Sequence, residues 1–358
     1  MKNQRLAMSK SRYVRSWEDI SAAFLTEILL KKNFQGKVLS ITSESIGTGQ
    51  VGENIRFNLE IEGDMPKSIV GKFPAIDETS RQTGIQLLNY QREVFFYNNL
   101  QSETAITTPN IFLCDIDPVT HDFIILMEDL APGTPGDQIA GCGVSEAELA
   151  LTQLAHLHGS MWEKTNLADD NIVSRGGKDQ TPTGELYKAL APGFIERYRD
   201  ALASTEKNAI SDLGRSIHNY LADSGGAKTL IHIDYRLDNM MFGGPYPLAV
   251  VDWQSCAFGC PLNDVSYFMG TSLNPKIRLE EETRLLKHYF DTLKHYEVTI
   301  DWVTASDLYQ RYAPAGLVMA VIASMIVGET QRGNEMFLAM AKRSTQMMLE
   351  LDSLGVIS

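Results

Sequence analysis

The chain has 358 residues, enough for two domains or one domain of two lobes, and its 44% hydrophobic content supplies a large buried core. Its 45 Asp and Glu against 32 Lys and Arg give a net charge of −13, which excludes the basic footprint that a duplex nucleic acid needs. The four scattered cysteines, Cys114, Cys142, Cys256 and Cys260, exclude a disulfide framework and read as reduced thiols of a cytoplasmic protein.

Residues 1–16 are basic and acid-free, with no apolar core of the secretory kind, and read as an N-terminal arm of a composition shared with transit peptides. Ser16 followed by Asp19 resembles a capping box that opens a helix through Trp17–Lys32. The period then changes. Val38–Ile46 is rich in strand formers, and Ile55, Phe57, Leu59 and Ile61 alternate with polar neighbours as in a half-buried strand. A turn at Gly63–Pro66 leads to a further strand, Ser68–Phe73, completing an antiparallel meander. Apolar positions at helical spacing predict one helix within residues 82–100, and Ile111–Cys114 and Phe123–Met127 predict two more strands.

The Pro- and Gly-rich stretch Ala131–Gly136 marks a boundary between lobes, placed at residues 1–130 and 131–358. From about Ser145 the pattern is helical, interrupted by a polar, strand-flanked segment from Thr229 to Trp253. Helical patterns then fill Asp264–Gly270, Arg278–Tyr296, Leu308–Val327 and Glu335–Leu351. The longest apolar run, Ala313 to Gly328, contains Pro314 and Gly316 and falls short of the roughly 20 residues that span a bilayer. It reads as a buried helix, so no membrane partner is expected.

Two motifs carry chemistry. Gly47, Gly49 and Gly52 have the spacing of a phosphate-cradling loop, where backbone N–H groups approach an anion with no Cβ in between. Such a loop opens a helix in a dinucleotide-binding unit but joins two strands in a kinase. The alternating strand that follows favours the second form. The other motif runs from His232 through Asp234 to Asn239, followed by Asp252 at a strand end. Phosphoryl transfer needs positioning and charge neutralisation more than covalent help, and an Asp, an Asn and a second Asp supply both. Asn239 and Asp252 are hard oxygen ligands suited to Mg²⁺, and Asp234 suits the proton of an acceptor hydroxyl.

These residues resemble the catalytic loop and metal-binding Asp of the aminoglycoside phosphotransferase and choline kinase group, most closely its ecdysteroid kinase-like branch, over roughly Ser45 to Gly270. The resemblance implies a protein-kinase-like α+β fold, with a small antiparallel β-rich N-lobe and a larger, mainly helical C-lobe. It further implies that Lys72 contacts the nucleotide phosphates and pairs with Glu93, and that Glu128 and Leu130 bind adenine through their backbones. By the same matching Asp234 is catalytic, Asn239 and Asp252 bind metal, and His232 is scaffold. ATP and Mg²⁺ are the implied cofactors, and a small hydroxylated metabolite the implied acceptor. Physical chemistry adds that Lys72, on an apolar strand, needs a partner charge.

Departures from relatives narrow the class. Ile233 stands where a protein kinase has an arginine, and only eleven residues separate Asp252 from Asp264, too few for a peptide-docking segment. Asp264 is expected to cap a helix and brace the catalytic loop. His156 and His158, two apart on a helix, are expected in the core and not on one metal, and Trp162, Trp302 and Tyr309 are expected as core aromatics, with the lining of a substrate pocket as the alternative. Two rival readings are a catalytically inactive nucleotide-binding regulator and an NAD-dependent oxidoreductase.

Overall fold

A computed structural model describes residues 16–47, 51–169, 171–174 and 180–357, so that Gly49 and the basic arm before Ser16 lie outside the described residues. The chain forms two compact units. One contains the described residues up to Asn98 together with Pro109–Asp129; the other contains Asn99–Thr108 and everything from Leu130 onward.

The first unit begins with a single 3-10 turn at Trp17–Asp19, capped by the Ser16 hydroxyl on Glu18 N–H. The expected continuous helix is therefore corrected: α1 spans Ala22–Lys31, and its N-cap is Ser21, whose hydroxyl accepts from Phe24 N–H. Two Ser residues five positions apart each satisfy an orphan N–H, and the second begins the longer element. Strands β1 (Gln35–Ile46), β2 (Gly52–Asp64) and β3 (Ser68–Pro74) form the antiparallel meander. Beyond them come β4 (Ile111–Ile116) and β5 (Phe123–Glu128), giving the sheet order β1-β2-β3-β5-β4. Ile55, Phe57 and Leu59 of β2 point inward, joining Leu25 and Leu29 of α1, Phe73 of β3 and Ile124 and Leu126 of β5 in one core. The alternation seen in the sequence is this face.

The helix expected across residues 82–100 is broken into α2 (Glu78–Gln86), α3 (Asn89–Phe95) and a π-turn at Phe96–Leu100. The break falls at Leu88, which takes a left-handed backbone at φ 59°. Periodicity survives such a turn because the apolar positions on both sides still face the sheet, so the pattern alone does not reveal it.

The second unit is mostly helical. Its small strands are β6 (Thr134–Pro135), β7 (Thr229–Ile231), β8 (Met240–Phe242), β9 (Leu248–Val250) and β10 (Ala257–Gly259). They pair as β6-β8-β9 and β10-β7, so residues 229–259 form two small ladders flanking the loop that contains Asp234. Its helices are α4 (Val144–Ser160), α5 (Thr181–Arg197), α6 (Ser204–Leu221), α7 (Pro261–Ser272), α8 (Pro275–Leu293), α9 (Trp302–Tyr312), α10 (Ala315–Ile326), α11 (Gln331–Glu350) and α12 (Ser353–Ile357). The pattern from Leu308 to Val327 is thus two helices, because Pro314 lacks an N–H and starts α10. Tyr309 is buried as expected, but Trp302 is 44% exposed and meets Phe290 edge to face. No helix among the described residues is long and apolar enough to cross a membrane.

Candidate active site

In the first unit the glycine turn connects β1 to β2, whose last residue pair is Ile46 with Asn54. The turn opens onto a strand and not a helix, which removes the arrangement that a dinucleotide pyrophosphate needs. Gly47 has φ +74°, where a side chain would be strained. Gly52 lies against Lys72: a Cβ there would stand 3.6 Å from the Lys72 Cε and 3.0 Å from the Phe73 carbonyl oxygen. The turn is anchored from outside the motif. Tyr90, at the start of α3, donates its hydroxyl to the Val51 carbonyl at 2.5 Å and accepts from Ala75 N–H at 3.3 Å. The helix break at Leu88 is what brings Tyr90 to that position.

Lys72 projects from β3, and its Nζ stands 2.6 Å from Oε2 of Glu93 on α3; the two side chains are 10% and 2% exposed. Strand and helix thus hold a buried ion pair whose members lie 21 positions apart in sequence. Glu128, the last residue of β5, accepts from the backbone and side-chain N–H groups of Asn110 at 3.1 and 2.8 Å. Next to it Asp129 forms a two-pronged pair with Arg56 of β2, at 2.8 and 3.2 Å, and this pairing holds the guanidinium pKa above its ordinary value.

In the second unit the loop after β7 is drawn tight by Asp264, which lies in the first turn of α7 and is fully buried. Its carboxylate accepts from His232 N–H at 2.6 Å and from Ile233 N–H at 2.9 Å, and stands 3.5 Å from His158 Nε2. Asp264 braces the loop but does not cap a helix, since the N-cap of α7 is Cys260. The brace holds Ile233 at φ 71°, a backbone conformation costly for a β-branched residue. His156 and His158 have separate partners, Tyr296 and Tyr289, each at 2.8 Å. His232 reaches the Val251 carbonyl through Nε2 at 3.1 Å and packs against Trp253 and Tyr235.

Three side chains hold the Asp234 carboxylate. Arg236 Nε lies 3.0 Å from both of its oxygens, the Tyr267 hydroxyl donates to Oδ1 at 2.6 Å, and Asn239 Nδ2 donates to Oδ2 at 3.1 Å. Burial pushes this carboxyl up, but the Arg236 charge and the Tyr267 hydrogen bond outweigh it, so the group stays below the usual carboxylate range. Asp234 is therefore an ionised acceptor at neutral pH. Asn239 is tied back to the same residue, donating to the Asp234 carbonyl at 2.9 Å as well. Val251 N–H bonds the Asn239 carbonyl at 3.0 Å, and the next residue, Asp252, stands at φ 67° with Gln254 Nε2 3.3 Å from its carboxylate. The structure thus brings Asp234, Asn239 and Asp252 to one loop end in the second unit, and Gly52, Lys72 and Glu93 together in the first.

Several participants escaped the sequence reading. Arg236 and Asp238 lie inside the motif, and two acidic residues so close together already call for a counter-charge there. Tyr267, Tyr90 and Arg332, the last pairing with Asp238 at 2.8 and 2.9 Å, carry no local signal, because each reaches its partner across a fold contact.

The ecdysteroid kinase-like family model matches residues 52–300, well over half of the chain. The chain belongs to the ecdysteroid kinase-like family. Among curated relatives of this family member, acyl-CoA dehydrogenase family member 11 of Gallus gallus is 37% identical over 122 residues, covering 30% of this chain but only 16% of that protein. Among solved structures, a microcompartment-associated aminopropanol kinase has a TM-score of 0.54 at 14% identity, over 88% of this chain and 94% of that one. Choline kinase LicA from Streptococcus pneumoniae has a TM-score of 0.51 at 15% identity, over 92% and 98%. At that identity the likeness establishes the fold, the two-lobed α+β fold of the protein-kinase-like phosphotransferases.

Proposed function

We propose that this ecdysteroid kinase-like protein is a phosphotransferase that moves the γ-phosphoryl group of Mg·ATP to a hydroxyl of a small molecule. The observation that carries this reading is the Asp234 carboxylate, held by Arg236, Tyr267 and Asn239, in a loop where the Asn239 carbonyl accepts from the N–H of Val251, the residue before Asp252. The family membership and the likeness to an aminopropanol kinase and a choline kinase, whose substrates carry hydroxyls, support the same class.

In this reading Lys72, fixed by Glu93, meets the α- and β-phosphates, and the backbone N–H groups of the glycine motif serve the same phosphates. The backbones of Glu128 and Leu130 take the adenine edge. Asp234 orients the acceptor hydroxyl, whose oxygen bonds the γ-phosphorus as the bond to the β-phosphate oxygen breaks. A carboxylate of depressed pKa is a weak base, which suits a loose transition state in which the hydroxyl proton moves late. Among the described residues no three His, Cys, Asp or Glu side chains form a metal cage. Mg²⁺ takes one or two protein oxygens and fills its shell with phosphate and water. Asn239 and Asp252 provide an amide oxygen and a carboxylate, both hard donors. The ion, when bound, would neutralise charge on the triphosphate.

The test is a nucleotide-consumption screen over hydroxylated metabolites, with Asp234→Ala alongside. Turnover is expected to fall by about 10²–10⁴ with nucleotide affinity retained. Turnover within a few-fold of the parent would remove Asp234 from the chemistry. Absence of Mg-dependent ATP turnover in the parent would favour an inactive nucleotide-binding regulator.

A further inference from the structure

We propose that Arg236 is a positioning residue for Asp234, and that Asp238 and Arg332 fix where its guanidinium stands. The inference rests on the reading of Asp234 as the group that faces the acceptor hydroxyl.

An Asp carboxylate turns freely about its last torsion, because that torsion joins sp³ and sp² carbons and has broad wells. In this loop each oxygen of Asp234 has two donors. Oδ1 takes the Tyr267 hydroxyl at 2.6 Å and Arg236 Nε at 3.0 Å, while Oδ2 takes Arg236 Nε at 3.0 Å and Asn239 Nδ2 at 3.1 Å. Arg236 is the only one of these donors that spans both oxygens, so it sets the plane of the carboxylate.

The guanidinium is itself held in place. Its Nη1 lies 3.1 Å from Asp238 Oδ2 and 2.7 Å from the Met336 sulfur. Asp238 accepts from both Arg332 terminal nitrogens, at 2.8 and 2.9 Å, and from Gln138 N–H at 3.0 Å. Charges therefore alternate along Arg332, Asp238, Arg236 and Asp234. They run from the first turn of α11, where the Arg332 side chain is 43% exposed, into the loop, where those of Arg236 and Asp234 are 19% and 13% exposed. A salt bridge kept for stability alone requires only a positive charge between two carboxylates. The observed geometry divides the guanidinium, with Nε on Asp234 and Nη1 on Asp238. A lysine ammonium is a single point charge without that fork, so it cannot reproduce the division.

The experiment uses the full chain with Mg·ATP and water as the acceptor, and follows ADP release for the parent, Arg236→Ala, Arg236→Lys, Asp238→Asn and Asp234→Asn. Arg236→Ala is expected to lower kcat by about 10–100-fold with the nucleotide KM within about threefold, as for a misaimed reacting group. Free guanidinium at non-denaturing millimolar concentration should restore several-fold of that loss, which it would not do for a general packing defect. Arg236→Lys should remain slow although it keeps the charge and the fold, and Asp238→Asn should fall between it and the parent. Parental rates for Arg236→Ala, or a loss that appears equally in KM and resists guanidinium, would overturn the positioning role while leaving Asp234 in place. Asp234→Asn at the parental rate would sink the reading of Asp234 and this inference with it.

Discussion

Replacing Glu93 tests both the energetics of the first unit and the role of Lys72. The Lys72 Nζ and Glu93 Oε2 lie 2.6 Å apart, with the side chains 10% and 2% exposed. At an effective dielectric near 20, unit charges about 4 Å apart attract by about 4 kcal/mol, which roughly balances what it costs to take both from water. Glu93→Gln removes the attraction but leaves the lysine buried, so unfolding free energy should fall by about 3–5 kcal/mol. Lys72→Met combined with Glu93→Leu removes both charges at similar volume, and should return to the parental stability or exceed it. Urea unfolding of the parent, Lys72→Met, Glu93→Leu and the double variant closes the cycle, with Glu93→Gln measured alongside. The double variant should then be well folded yet bind ATP at least about tenfold more weakly, a loss of at least about 1.4 kcal/mol. If Glu93→Gln costs under about 1 kcal/mol, or the double variant is as unstable as Glu93→Gln, the pair is not a buried, mutually dependent unit. If the stable double variant binds ATP like the parent, Lys72 does not serve the nucleotide.

Three further outcomes are expected. Asp264→Ala leaves the N–H groups of His232 and Ile233 without their acceptor, at about 1–3 kcal/mol each, and should lower both the unfolding midpoint and turnover. Ile233→Gly relieves a β-branched residue held at φ 71°, a strain of about 1–3 kcal/mol, and should not destabilise the protein in spite of the lost side chain; a clear drop in midpoint would refute the strain argument. Tyr90→Phe deletes the hydroxyl that bonds Val51 and Ala75, and should raise the nucleotide KM several-fold with kcat little changed, at a stability cost of about 1 kcal/mol in thermal or urea unfolding.

By itself the sequence determined the five strands of the first unit, and that the glycine turn joins two of them, but not the short strands β6, β8 and β10 of the second. Period-two alternation in β2 and the strand pattern of β3 are local properties, legible because each residue's face is set by its own position in the strand. It also named Asp234, Asn239 and Asp252, which lie within 19 residues of one another and carry their chemistry in their side-chain types. Helix boundaries were less legible, since the turns at Leu88 and Pro314 leave the apolar spacing intact. Tertiary structure alone decided how those groups are held. Tyr267 reaches Asp234 across 33 positions, Asp264 reaches His232 across 32, and Arg332 reaches Asp238 across 94. Such contacts follow from how helices pack, and nothing in the local pattern of either partner encodes the distance between them. The identity of a reactive group is a property of its residue; its direction and charge state belong to whatever the fold sets beside it.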